Sequence, residues 1–129
     1  MTLEFPDDPL LREYWEGCVA GQLRIQRCDR CGHAQFYPRP RCLACGGATL
    51  SWVEATGSGT LYSATTVWRE VIPEFDPPYR VGLVDLVEGP RLLALLIDDA
   101  PLGAMVGVRW IPRDGRPPLP AFATEQRSN

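Results

Sequence analysis

The chain has 129 residues, 45% of them hydrophobic, and a formal net charge of −3. That apolar content fits one ordinary domain or two very small ones and excludes a disordered tail. The longest strong apolar run, LLALLI from Leu92 to Ile97, falls far short of the roughly 20 residues that a membrane-spanning helix needs.

The opening MTLEFPDDPL is acidic and broken by proline, without the basic start and apolar stretch of a signal peptide, so a cytoplasmic location is expected. The stretch DPLLREYWEGCVAG then reads as a helix within an N-terminal arm, residues 1–21. Asp8 is placed to cap it, Pro9 suits its first position and Gly21 its end. Leu10, Leu11, Tyr14, Trp15, Cys18 and Val19 form one apolar stripe opposite Arg12, Glu13 and Glu16. The stripe packs either on the chain's own core or on a partner. The small size of the rest of the chain keeps both readings open.

Residues 22–50 contain CDRCGHAQFYPRPRCLACGG, with Cys28, Cys31, Cys42 and Cys45 in two CxxC pairs. A ribbon this short buries too little to order itself, and in a reducing compartment such pairs point to a metal rather than to disulfides. Gly32 and Gly46 permit the tight turns that aim backbone amides at sulfur. Four thiolates close a tetrahedral site, whereas a catalytic zinc keeps a position open, so one structural zinc per chain is expected. Iron in a rubredoxin-like electron carrier uses the same spacing. His33, directly after Cys31-Gly32, is a fifth candidate ligand but reads as a surface residue, and Cys18 is left as a free thiol.

Residues 51–129 are written in strands. TLYSATTVW, YRVGLVDLV, RLLALLID and AMVGVRWI are separated by the turns VEGPRL and DDAPLGA, and Gly57, Gly59, Gly82 and Gly107 mark bulges or bends. About five strands over this length predict an OB-type barrel. The proline-rich IPRDGRPPLPAF is expected to end the chain as an extended edge. The fold class is therefore mainly β: an N-terminal helix, a rubredoxin-like zinc ribbon and a five-stranded OB barrel.

A catalytic inventory is thin. All 13 basic residues are arginine, so no lysine serves acid-base or Schiff-base chemistry. His33 is the sole histidine, Asp98-Asp99 reads as a solvated turn, and no GxSxG, HExxH or phosphate-binding loop is present. A nucleic-acid module is the main alternative. However, only residues 20–50 are net basic, and an acidic barrel opposes phosphate binding.

Taken in order, these pieces resemble a known family. The helix, LRIQRCDRCGHAQFYPRPRCLACGG, SWVEATGSGTLYSATTV, PPYRVGLVDLVEGPRLLALL, GVRW and LPAF are similar to the acyl-CoA-associated OB-fold proteins with an N-terminal rubredoxin-like zinc ribbon. The resemblance covers nearly the whole chain. It implies a non-catalytic accessory subunit in a hetero-oligomer with a thiolase-fold enzyme, such as a thiolase or lipid-transfer-protein-like aldolase, or with an acyl-CoA hydratase. In some members it implies a scaffold that holds or delivers acyl-CoA. It implies the metal role for Cys28, Cys31, Cys42 and Cys45. Arg39, Arg41, Phe36 and Tyr37, with Trp52 nearby, are then candidate CoA contacts, because guanidinium suits phosphate and aromatic faces stack on adenine. Those aromatics also suit a miniature ribbon core.

Overall fold

The computed structural model describes residues 8–70 and 75–125, so the acidic start of the arm at residues 1–7 and the end of the chain at 126–129 lie outside the described residues. The helix begins as the residues dictate. The Asp8 carboxylate accepts from the Leu10 N–H at 3.0 Å, and a 3-10 turn over Pro9–Leu11 runs into α1, Arg12–Val19. It ends where Gly21 takes φ +73, while the Gly21 and Gln22 N–H groups return to the carbonyls of Cys18 and Gly17 at 3.1 and 2.8 Å.

A three-stranded antiparallel sheet follows, built from β1 (Arg24–Cys28), β2 (Ala34–Gln35) and β3 (Leu50–Glu54) in the order β2-β1-β3. Five further strands close a barrel: β4 (Ser58–Val67), β5 (Tyr79–Leu86), β6 (Arg91–Leu96), β7 (Met105–Arg113) and β8 (Arg116–Thr124), in the order β4-β5-β6-β8-β7 with β7 returning to β4. The one-residue bulge between Leu61 and Ser63 on β4 lies opposite Val84 and Leu83 of β5, one position from the Ala64–Gly82 pair. A side chain at Gly82 would meet the Ser63 carbonyl at 2.6 Å, so the close approach excludes every residue but glycine.

One open reading is decided and one expectation changes. The apolar stripe of α1 is covered by the chain itself. Tyr14 and Cys18 are 8% and 1% exposed and share one core with Ile25 of β1 and Phe122 of β8, and Trp15 packs against it. β1 and β8 together supply that apolar surface, which decides between the two readings of the stripe. Only Leu10 and Val19 of the stripe stay exposed.

The proline-rich segment, expected as an edge, is the strand that closes the barrel. β8 runs antiparallel to β7 and parallel to β6 at Leu95–Ala121 and Leu96–Phe122. Since the Ile97 N–H donates to the Phe122 carbonyl at 2.9 Å, the even-numbered positions of β8 face β6. Pro118 and Pro120 therefore face β6, and because Pro120 has no N–H to give, the ladder goes no further than Leu95–Ala121.

Candidate metal centre and ribbon surface

The two CxxC turns are near copies of one another. The Gly32 N–H donates to the Cys28 carbonyl and the Gly46 N–H to the Cys42 carbonyl, each at 2.9 Å, with φ +79 and +76 at the two glycines. A Cβ at either glycine would meet nothing within 4 Å, so the backbone angle and not space demands glycine there. The Cys28 and Cys42 N–H groups close the turns onto the carbonyls of His33 and Gly47 at 2.9 and 2.8 Å. These loops aim amides at sulfur, with N–H groups of Cys31, Ala44 and Gly47 each 3.4 Å from the Sγ of Cys28, Cys42 and Cys45.

All four sulfurs lie within 4.8 Å of one another, with Cys28–Cys45 and Cys31–Cys42 each at 3.6 Å. Ligands about 2.3 Å from a central ion form a tetrahedron with edges of about 3.8 Å, so these four cysteines are positioned to bind a metal. Their protons come off unevenly. The Cys31 N–H draws the Cys28 thiol down to about 7, and the Cys45 N–H draws Cys42 below the usual thiol range. At Cys31 the His33 N–H acts in the same direction, but burial and the sulfurs of Cys42, Cys45 and Cys28 outweigh it and raise the thiol. Four thiolates at this spacing repel, and a bound divalent cation removes that conflict.

His33 is exposed and stands outside the sulfur group, and Cys18 is buried in the α1 core away from it. The candidate CoA residues lie on one loop but are not alike. Phe36 is half-buried, 5.4 Å between ring centroids from Tyr14, so it belongs to the packing between ribbon and helix. Tyr37 is 51% exposed, Arg39 and Arg41 are exposed, and Arg41 Nη1 donates to the Gly46 carbonyl at 3.2 Å. Trp52 packs from β3 against the core.

Sequence reasoning missed the residues that fix this loop. Gln26 and Gln35 stand opposite each other in β1 and β2 and are both buried. Gln26 binds the Arg39 backbone twice, accepting from its N–H at 2.8 Å and donating to its carbonyl at 2.9 Å. Gln35 donates to the Arg41 carbonyl at 3.2 Å and accepts from the Leu43 N–H at 2.9 Å. The available signal was a glutamine in a strand between the buried Ile25 and, two residues on, the buried Cys28. Asp98, expected as a solvated turn residue, is also structural: it accepts from the N–H groups of Thr124 and Ala100 at 3.0 and 3.2 Å and ties the end of β6 to the end of β8.

The chain matches two family models, the ChsH2 rubredoxin-like zinc ribbon domain over residues 15–51 and the ChsH2 C-terminal OB-fold domain over residues 52–110. A chain of the solved "Ltp2-ChsH2(DUF35) aldolase" superposes with a TM-score of 0.83 at 33% identity, covering 94% of this chain and 98% of that one. A probable enoyl-CoA hydratase alpha subunit of Thermomonospora curvata is 36% identical over 113 residues, covering 84% of this chain and 35% of that protein. A DUF35 domain-containing scaffold protein of Pyrococcus furiosus is 36% identical over 76 residues, covering 58% of this chain and 55% of that one. This chain thus spans about a third of the hydratase subunit and just over half of the scaffold protein. With its ribbon, its barrel and a full-length structural counterpart all matched, the chain belongs to the DUF35 family of ChsH2-type zinc-ribbon and OB-fold proteins.

Proposed function

We propose that this chain is a non-catalytic accessory subunit that binds a thiolase-fold enzyme, or a related acyl-CoA enzyme, and helps to hold or deliver the acyl-CoA substrate in the cytoplasm. The observation that carries this reading is the end-to-end likeness to a chain solved within a two-protein aldolase. The side-chain chemistry points the same way. Among the described residues the one histidine lies exposed on the ribbon, and burial pushes the Cys18 thiol up to about 11, so neither forms a nucleophile-base pair.

In this reading Cys28, Cys31, Cys42 and Cys45 hold one structural zinc, which keeps the ribbon folded and leaves no open coordination position for chemistry. Arg39 and Arg41, held in place through their backbones by Gln26 and Gln35, receive the phosphates of CoA. Tyr37 offers a face to the adenine, and Phe36 sets the loop against the helix. The test is co-expression with a thiolase-fold aldolase, followed by size exclusion and calorimetric titration with CoA. Co-elution, together with CoA binding that weakens in Arg39→Gln and Arg41→Gln, supports the reading. A chain that stays alone in every pairing, or that turns over an acyl-CoA unaided, overturns it.

A further inference from the structure

β6 and β8 part company inside the barrel wall. Their parallel ladder holds only at Leu95–Ala121 and Leu96–Phe122, and among the described residues Arg91 to Ala94 have no ladder partner on that side. Strand alternation turns the N–H and C=O of Leu93 to the same side as those of Leu95 and Ile97, toward β8. Extending the register by two residues would bring Leu93 opposite Leu119, where its carbonyl takes a bond from the backbone nitrogen of residue 120. That residue is Pro120, which has no N–H to give. The chain therefore leaves the Leu93 edge open by its own chemistry.

The opening is apolar. A groove of about 210 Å³ runs along it, lined by Tyr14, Val81, Ala94, Leu95, Leu119 and Pro120, with Leu93 as its rim at 67% exposure. A second groove of about 260 Å³ lies on the other side of Leu93, against Ala64, Val81 and Leu83. Proteins that leave a strand edge free guard it with charge. Here the nearest charge on β6 is Arg91, and its guanidinium is engaged by Asp85 at 2.6 Å and stacked 3.6 Å over the ring of Tyr62.

We infer that the β6 edge at Leu93 is where the partner enzyme docks, by laying an extended apolar segment into the cleft between β6 and β8. The inference rests on the accessory-subunit reading and specifies its contact surface. An added strand supplies the N–H that Pro120 lacks and accepts from the Leu93 N–H. One of its apolar side chains fills the groove over Tyr14 and Leu119, so main-chain bonds and a side-chain pocket act together. The grooves are shallow beside the roughly 300–1,000 Å³ of a small-molecule pocket, and Leu93 stands between them as a ridge, a shape that suits a protein segment better than an acyl chain.

The experiment uses the full chain and a thiolase-fold enzyme with which it co-elutes. Backbone hydrogen exchange is followed over residues 91–94, free and in the complex, and affinity is measured for Leu93→Glu, Leu93→Pro and, as a control on another exposed leucine, Leu102→Glu. Exchange at Leu93 should slow on complex formation, and both Leu93 variants should bind at least about tenfold more weakly while keeping their metal and Leu102→Glu binds normally. A complex that forms with no protection at 91–94 and with unaltered Leu93→Glu affinity overturns the docking site and leaves the accessory role standing. Failure of the unaltered chain to bind any thiolase-fold enzyme overturns both. Protection of 91–94 by decanoyl-CoA alone, or by self-association of the free chain, also overturns the inference and assigns the cleft to a ligand or to a second copy.

Discussion

Gln35 donates its side-chain N–H to the side-chain oxygen of Gln26 across 3.0 Å, and both residues are 3% exposed. This pair links the sheet of the ribbon to the backbone of the loop that carries Tyr37, Arg39 and Arg41. A buried amide pair is favourable only when its groups are bonded, and these reach the backbone of Arg39, Arg41 and Leu43.

Gln35→Ala should therefore leave the Arg41 carbonyl and the Leu43 N–H short of partners and destabilise the fold by about 1–3 kcal/mol. Denaturant unfolding checks the magnitude. If the loop only rests on the sheet, the loss will be within a few tenths of a kcal/mol.

Metal content should be one ion per chain, removed together with the ribbon's order. Cys42→Ser, or chelation of the natural protein, should abolish slow hydrogen exchange in β1 to β3, because metal binding contributes folding free energy in so small a unit. Elemental analysis identifies the ion. Zinc is the expected result, and iron would instead assign redox chemistry to the site.

Thiol labelling should divide the five cysteines into two classes. Burial raises the Cys18 thiol to about 11 and outweighs the opposite pull of the Tyr14 hydroxyl and of Arg113, so thiolate is scarce below that pH. Iodoacetamide at pH 8 should label the ribbon cysteines after metal removal and Cys18 only on full unfolding. Fast labelling of Cys18 in the folded chain would mean that α1 lifts away from β8.

Asp98 should make stability depend on acid pH. The N–H groups of Thr124 and then Ala100 lower its carboxyl below the unfolded value of about 3.9, so its contribution is complete above that value and is lost as pH falls through the lower folded one. Asp98→Ala should be less stable than the natural chain at pH 7, and the difference should shrink below about pH 4. A pH-independent difference would assign the effect to packing at the β6–β8 junction.

Gly82→Ala should lower stability by about 1–3 kcal/mol, since the added methyl meets the Ser63 carbonyl where β4 bulges. Thermal unfolding of the metal-bound chain gives the value.

Local signals carried much of this structure into the sequence. Asp8, Pro9 and Gly21 bracket the helix because caps act within one turn, and the CxxC spacing places four sulfurs because the turn geometry is local too. What covers a surface is not local. The stripe of Tyr14 and Cys18 was visible, but its burial depends on β8, more than 90 residues away in the chain. Pro117, Pro118 and Pro120 marked β8 as an extended edge, and what they hid was its second neighbour: the pairing with β6 at Ala121 and Phe122 is set by a strand about 25 residues earlier in the chain. Gln26 and Gln35 were unreadable for a related reason. Their partners are backbone groups of residues 39, 41 and 43, and backbone groups leave no mark in a sequence.

The central claim is that this chain assists catalysis by another protein. The most direct measurement is the steady-state acyl-CoA turnover of a co-purifying thiolase-fold enzyme, with and without this chain added back in equal amount. The chain alone should give no turnover, and its presence should raise the enzyme's kcat/KM for the acyl-CoA, with the rise reduced in Arg39→Gln. An enzyme equally active without it, or turnover by the purified chain itself, would contradict the account.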